Sequence, residues 1–285
     1  MRILFTGASS FTGKQVLRQI LDSFDDVEVW CTRHQSAVTA SDSRVSVIDL
    51  NFAETFNSHL LPDAIDLVIH VAGVTHAHDP ELYWDVNLRG TMRVAEAARA
   101  RGCARFVYIS TRCATMGAGA YGESKLAAEN ELRKLSWESL LIIRPSEIYG
   151  GQGSEGLDKL IALAQRWHLT PLLFGKKSIS FAPLWLDDFA VIVADEIIKQ
   201  TGGVRMLELC GPEDLSATAV AQRIAKRYHA LAFPIWWPMF ALLVKIAVRF
   251  NVSFAVPDQL QRLECAKTGS AATAHRTGRA RFLIE

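Results

Sequence analysis

The sequence predicts an α/β fold, a doubly wound parallel sheet that carries a smaller C-terminal region. Three observations lead there. Short, continuously apolar runs alternate with segments of helical period through residues 1–150; a glycine-rich turn directly follows the first run; and the alternation loosens after Tyr149. Strands without a polar face are buried on both sides, which in a chain alternating strand and helix means a parallel sheet with helices above and below.

Arg2 to Phe5 reads as a buried strand, Thr6 to Thr12 as a turn, and Gly13 to Leu21 as a helix with Val16, Leu17, Ile20 and Leu21 on one side. Val27 to Cys31 completes a βαβ unit, and Val45 to Ile48, Leu67 to Val71 and Phe106 to Ile109 add strands. Asp79 and Pro80 suit the cap and first turn of a helix running to about Arg101. A further helix fits Tyr121 to Leu135, and Leu140 to Ile143 is a strand stopping at Arg144-Pro145. After the glycine-rich stretch Gly150 to Gly156, residues 151–285 read as a smaller substrate-binding region at the carboxyl end of the sheet, intertwined with residues 1–150.

With 285 residues, 49% of them hydrophobic and 21% charged, the chain can bury a large core. Lys plus Arg total 31 against 30 Asp plus Glu, so no global field attracts nucleic acid, and the expected partner is a small molecule. Five cysteines, never spaced Cys-x-x-Cys, fit reduced thiols and a cytoplasmic setting rather than a disulfide framework or zinc. The apolar segment Leu231 to Val244 holds Pro234 and Pro238 and falls short of the ~20 residues that span a bilayer. We read it as a buried or cap helix, with contact to a membrane surface as the alternative.

The turn Thr6-Gly7-Ala8-Ser9-Ser10-Phe11-Thr12-Gly13 lies between a strand and a helix, where backbone amides and the positive helix end hold a pyrophosphate. Gly7 permits the tight turn, Gly13 permits close helix packing, and Ser10 stands where a middle glycine is expected. After the second strand comes Cys31-Thr32-Arg33-His34, with no carboxylate for the ribose hydroxyls. Arg33 suits a 2′-phosphate, so NADP is expected as cofactor, with NAD as the alternative.

Tyr121 and Lys125 are four residues apart and share a helix face. A phenol is a poor base at neutral pH, and a nearby cation favours its phenolate. The strand ending at Ile109 delivers Ser110 and Thr111, hydroxyls that can bond a substrate oxygen, which completes a proton-transfer set for interconverting alcohol and ketone.

With these residues in place the chain resembles the extended short-chain dehydrogenases, the NAD(P)-dependent sugar epimerase/dehydratase family, over most of its length. The glycine turn is similar to that family's TGxxGxxG, and Asp49-Leu50 to its adenine-side pair. His70 to Gly73 and Asn87-Leu88-Arg89-Gly90-Thr91 resemble its fourth-strand and N-x-x-G-T signatures, and Tyr121 to Lys125 its Y-x-x-x-K. Arg144 to Gly150 and Pro183 to Ala190 resemble two later segments of the family. The resemblance implies a Rossmann-type sheet, with the dinucleotide on Gly7, Ser9, Ser10, Phe11, Thr12, Gly13, Arg33, Asp49, Leu50, Val71, Ala72, Gly73, Asn87, Ser110, Tyr121, Lys125, Pro145 and Ser146. Tyr121 is then the general acid or base, Lys125 holds the ribose, and Thr111 orients the reacting oxygen. Val74, Thr111, Arg112 and Glu147 fall on the substrate side, and a homodimer through the helices of Asn87 and Tyr121 is a family-level expectation.

Departures narrow the chemistry. Arg112-Cys113 follow Thr111 where dehydratases carry acidic residues, so loss of water is not expected. The span from Thr111 to Tyr121 is short, and Glu147 stands where many epimerases have Asn. His76-Ala77-His78-Asp79 lacks a fourth ligand, so no metal is expected, and the basic tail of Arg276, Arg279 and Arg281 reads as a solvated surface. The leading reading is 4-keto reduction or 4-epimerisation of a nucleotide-activated sugar. Its rivals are reduction of a smaller or lipid-linked ketone, and a non-catalytic dinucleotide-binding scaffold.

Overall fold

The computed structural model describes all residues except 40, 152–155, 177–178, 200, 253–254 and 284–285, so most of the glycine-rich stretch after Gly151 lies outside the described residues. The first half runs β1 (Arg2–Thr6), α1 (Phe11–Ser23), β2 (Glu28–Arg33), β3 (Val45–Asp49), β4 (Leu67–His70), α2 (Glu81–Tyr83), a π-helical stretch Trp84–Gly90, α3 (Thr91–Ala100), β5 (Arg105–Ile109), α4 (Gly119–Lys134) and β6 (Ser139–Pro145). There follow β7 (Ile148–Tyr149), α5 (Gly156–Trp167), β8 (Leu169–Phe174), β9 (Ser180–Phe181), β10 (Leu184–Trp185), α6 (Leu186–Ile198), β11 (Gly203–Cys210), β12 (Leu215–Ser216), α7 (Ala217–Tyr228), β13 (Leu231–Trp236), α8 (Trp237–Arg249), α9 (Gln259–Glu264) and β14 (Arg276–Thr277).

Eight strands form one sheet in the order β3-β2-β1-β4-β5-β6-β11-β14, and every pairing is parallel. Side chains alternate across it. Ile3, Phe5, Ile69, Val107 and Ile143 pack under α1 and α6, whereas Leu4, Val68, Phe106, Tyr108 and Ile142 pack against α3 and α4. Both faces are covered, as the unbroken apolar runs required. The chain leaves β1 toward β2 and β3, then returns to the far side of β1 as β4. That reversal opens a crevice at the carboxyl ends of β1 and β4, where ligands bind in such sheets.

Beyond the sheet, β8 and β13 pair in parallel from Leu169↔Leu231 to Phe174↔Trp236. A third core of Tyr149, Leu157, Val220, Ile224 and Phe282 lies with α5 and α7. Two expectations are corrected here. The segment Leu231 to Val244 is not one buried helix: its first half is β13, because β8 offers an unpaired edge, and its second half is α8, much of whose apolar surface is exposed. The basic tail is partly structural, since Arg276 lies in β14 and its Nη1 donates to Glu196 at 2.8 Å. Among the described residues no helix is long and apolar enough to cross a membrane.

Candidate active site

The glycine turn is built as its residues require. Gly7 has φ +80°, and a Cβ there would stand 2.6 Å from the Ala72 nitrogen; a Cβ on Gly13 would meet the Gly7 carbonyl oxygen at 2.0 Å. Neither position tolerates a side chain, because backbone fills both spaces. Ser10 is more than a small stand-in for glycine. Its hydroxyl donates to the Gly7 carbonyl (2.9 Å) and accepts from the Gly13 amide (3.0 Å), capping α1 and closing the turn. Phe11 and Thr12 open the first turn of α1, whose amides a helix cannot satisfy itself. A pyrophosphate fits this cradle.

On the far side of the crevice a buried relay fixes the β4 loop. Ala72 donates its amide to Thr6 Oγ1 (3.3 Å), and Thr6 Oγ1 lies 2.8 Å from His70 Nδ1. His70 Nε2 lies 3.0 Å from Thr91 Oγ1, which donates to the Asn87 carbonyl (2.7 Å). Because the Thr91 hydroxyl proton is committed, His70 Nε2 carries the proton and Nδ1 accepts from Thr6. Asn87, within the π-helical stretch, then clamps Val74 through both amide and carbonyl (2.8 and 3.0 Å), and its Nδ2 reaches Ser124 on α4 at 3.3 Å. Val71, Ala72, Gly73 and Val74 are thereby held at the mouth of the crevice.

Burial, followed by the nearby Lys125 ammonium, pushes His70 down from 6.5 to about 3. The folded imidazole stays neutral while the unfolded chain's histidine protonates near 6.5, so this contribution is whole above that value and declines as pH falls toward 3. We expect the wild-type melting temperature to fall between about pH 7 and pH 5 more steeply than that of His70→Leu, which should melt lower throughout. Parallel curves would contradict this account.

At the carboxyl end of β5 the chain continues beside β6, with Ser110 bonding Ile143 (2.7 Å) and Arg112 bonding Pro145 (3.0 Å). Thr111 and Arg112 therefore sit next to the Pro145–Glu147 segment. Gly122 sets α4 against this loop, since a Cβ on it would lie 2.2 Å from the Cys113 carbonyl oxygen. Tyr121, one residue before Gly122, therefore lies in the turn of α4 that packs against this loop. Lys125 is buried: its Nζ donates to the Ile109 carbonyl at 3.0 Å and lies 4.7 Å from the centre of the Tyr108 ring. Burial lowers it from 10.5 to about 8, and Glu129 works the other way.

Glu129 carries a part of the site that sequence reading missed. It is 1% exposed, receives Arg144 Nε (2.8 Å) and Nη2 (2.6 Å), and accepts from Ser110 Oγ (2.5 Å). Ser110 is accordingly committed to Glu129 and Ser146 to the Ala182 carbonyl, whereas Thr111 Oγ1 accepts from the Cys113 amide at 3.2 Å. A signal was available: Tyr121, Lys125 and Glu129 recur every four residues on one helix face.

The C-terminal segment crosses the same place. Asp258 accepts the Tyr121 amide (3.0 Å) at the start of α4, and Gly119, with φ +79°, leaves it room. Arg262 stacks over the Tyr121 ring at 4.2 Å and donates to the Tyr83 hydroxyl and the Thr75 carbonyl, both at 2.6 Å. Lys267 and Arg112 both bind Glu147 (2.9 and 2.7 Å), and they hold its carboxyl at about 2 against the burial that would raise it. Contacts from 137 positions along the chain have no local sequence signal. At the carboxyl ends of β2 and β3, Arg33 Nε and Nη2 meet Asp49 at 2.6 and 2.8 Å, and the Leu50 amide bonds the Arg33 carbonyl at 2.8 Å. Among the described residues no three His, Cys, Asp or Glu side chains converge to hold a metal.

A fully parallel sheet reading 3-2-1-4-5-6, a glycine turn at its switch point, and Tyr121 and Lys125 on the helix packed against the loop after β5 define a nicotinamide-dinucleotide protein of the short-chain dehydrogenase type. Residues 3–182 match the model of the NAD dependent epimerase/dehydratase family, and the chain belongs to that family, whose members are NAD-dependent oxidoreductases or epimerases. It is 33% identical over 172 residues to a ceramide reductase of Caulobacter vibrioides (strain NA1000 / CB15N), covering 60% of this chain and 53% of that protein. It is 29% identical over 200 residues to a UDP-glucose 4-epimerase of Vibrio cholerae, covering 61% and 59%. The matches thus span little more than half the length of these relatives. In structure it is similar to the UDP-glucuronic acid 4-epimerase from Bacillus cereus in complex with UDP-glucuronic acid and NAD, with TM-score 0.69, 21% identity and coverage of 83% and 86%. The fold and family expected from the sequence are both borne out.

Proposed function

We propose that this chain interconverts a secondary alcohol and a ketone, with Tyr121 exchanging the proton, Thr111 bonding the reacting oxygen and Lys125 holding the ribose. When bound, the nicotinamide supplies hydride transfer. The observation that carries this is the seating of the Tyr121 turn on the Thr111–Cys113 loop at the carboxyl end of β5, beside the glycine cradle. Residues 151–285 supply the substrate side in this reading, and a homodimer through the helices of Asn87 and Tyr121 belongs to it.

For the substrate, the Glu147 cluster favours a neutral ketone on a lipid-like molecule. Arg112 and Lys267 both donate to Glu147 and to the Ser180 carbonyl, so the three groups keep one net positive charge, but most of their N–H donors are already spent before a diphosphate arrives. Similarity to the ceramide reductase points the same way. A nucleotide sugar is the second reading, favoured by similarity to the UDP-glucose 4-epimerase. Purified protein offered a long-chain ketone in detergent micelles should consume reduced nicotinamide. Turnover of UDP-sugars instead would establish the second reading, and turnover of neither would sink both.

For the cofactor, Arg33 is proposed to turn Nη1 toward a 2′-phosphate while Asp49 holds its other nitrogens. Arg33→Ala should weaken NADPH binding about tenfold and leave NADH binding nearly unchanged. Equal losses for both, by fluorescence titration, would remove the preference.

A further inference from the structure

The geometry points to α8 as a docking surface for an anionic lipid bilayer. Met239, Leu242, Leu243, Ile246 and, just past the helix end, Phe250 keep the spacing of one helix face, yet they are 45–75% exposed. Trp236, 54% exposed, heads the stripe. In a helix packed on a core the periodic apolar face is the buried one. Here the buried side chains of α8 are Trp237 and Val244, and the periodic face is turned outward. A continuous apolar stripe of this kind marks an interaction site.

Charge identifies the occupant. Residues 215–257 contain no Asp or Glu, and Lys245 and Arg249 stand exposed along α8. The next acidic residues, Asp258 and Glu264, are already paired, with Arg262 at 2.8 Å and Lys176 at 2.9 Å. Exposed cations beside an apolar stripe bounded by Trp and Phe suit a helix lying in the headgroup layer, its cations on lipid phosphates. A second copy joined on a two-fold axis would bring cations of one sign together across the interface.

The patch also lies close to the site. Lys176 Nζ is 5.8 Å from the centre of the Trp237 ring and bonds Glu264 at the end of α9, the helix whose Arg262 covers Tyr121. Docking through α8 therefore brings the Tyr121 side of the molecule near the bilayer. Delivery of substrate from that bilayer rests on the lipid reading above; the docking itself does not.

Co-sedimentation with phosphatidylcholine vesicles, with and without phosphatidylglycerol, tests it. The wild type should bind the anionic vesicles and release them as salt rises. The double variant Leu242→Glu/Ile246→Glu should lose affinity at least about tenfold. Lys245→Gln/Arg249→Gln should lose about tenfold together with most of the salt dependence. Both pairs are exposed, so dinucleotide affinity and melting temperature should hold. A wild type that stays in the supernatant, or binds neutral vesicles equally well, overturns the proposal. So does a stripe variant that turns a dimer into a monomer with vesicle binding unchanged. Vesicle binding without turnover of long-chain ketones would keep the docking surface and discard the lipid reading, and turnover in micelles without vesicle binding would do the reverse.

Discussion

Replacing Tyr121 with phenylalanine is expected to cut turnover by about 10²- to 10⁴-fold while dinucleotide affinity stays within about twofold. The two effects separate because the ring and the hydroxyl have different duties. Arg262 lies 4.2 Å over the ring, Tyr83 meets it edge-on at 6.0 Å, and Asp258 holds the backbone at the start of α4, so phenylalanine keeps the same seat. What it loses is the proton carried between Thr111's bonding partner and solvent. Lys125→Met should behave differently, losing affinity and turnover together, because the buried ammonium is proposed to hold the ribose as well. Single-turnover kinetics with the long-chain ketone would check both, and a Tyr121→Phe enzyme as fast as the wild type would end the proposed mechanism.

Removal of Arg144 should carry the largest cost in stability, about 3–5 kcal/mol for Arg144→Leu. The reason is what is left behind. Glu129 is 1% exposed and makes two bonds to Arg144, so without its partner a carboxylate remains in a site that water does not reach. Ser110, bonded to the same carboxylate, would lose its anchor at the base of the Thr111 loop. Urea unfolding should show the loss, and Arg144→Leu/Glu129→Leu should regain much of it, because an apolar pair asks for no partner. A single variant as stable as the wild type would mean that Glu129 is satisfied without Arg144.

Particular residues show how far local sequence reaches. The glycine turn was legible because a strand, a run of small residues and a helix lie within one stretch of chain, and the φ of Gly7 and the crowding at Gly13 are local necessities. Tyr121 and Lys125 were legible for the same reason, as one helix face. Arg33 is legible as a cation after the second strand, whereas its pairing with Asp49, 16 residues further on, follows from the strand register. Arg112 and Glu147 were assigned to the substrate side, yet the chain brings them to each other and to Lys267. The segment 231–244 was misjudged because an apolar run shows that something will cover it, not what, nor whether it folds as strand or helix.

The sequence by itself determined the parallel sheet, the glycine turn and the Tyr-Lys pair, which rest on the periodicity and spacing of neighbouring residues, and its motifs carried the resemblance to the family. Only the tertiary structure decided which charges are spent on one another, that Asp258 and Arg262 fold back over Tyr121 and Lys267 onto Glu147, and that the apolar face of α8 looks outward. Those features join residues far apart in the chain, and their pairing is set by packing geometry rather than by any local preference of the residues themselves.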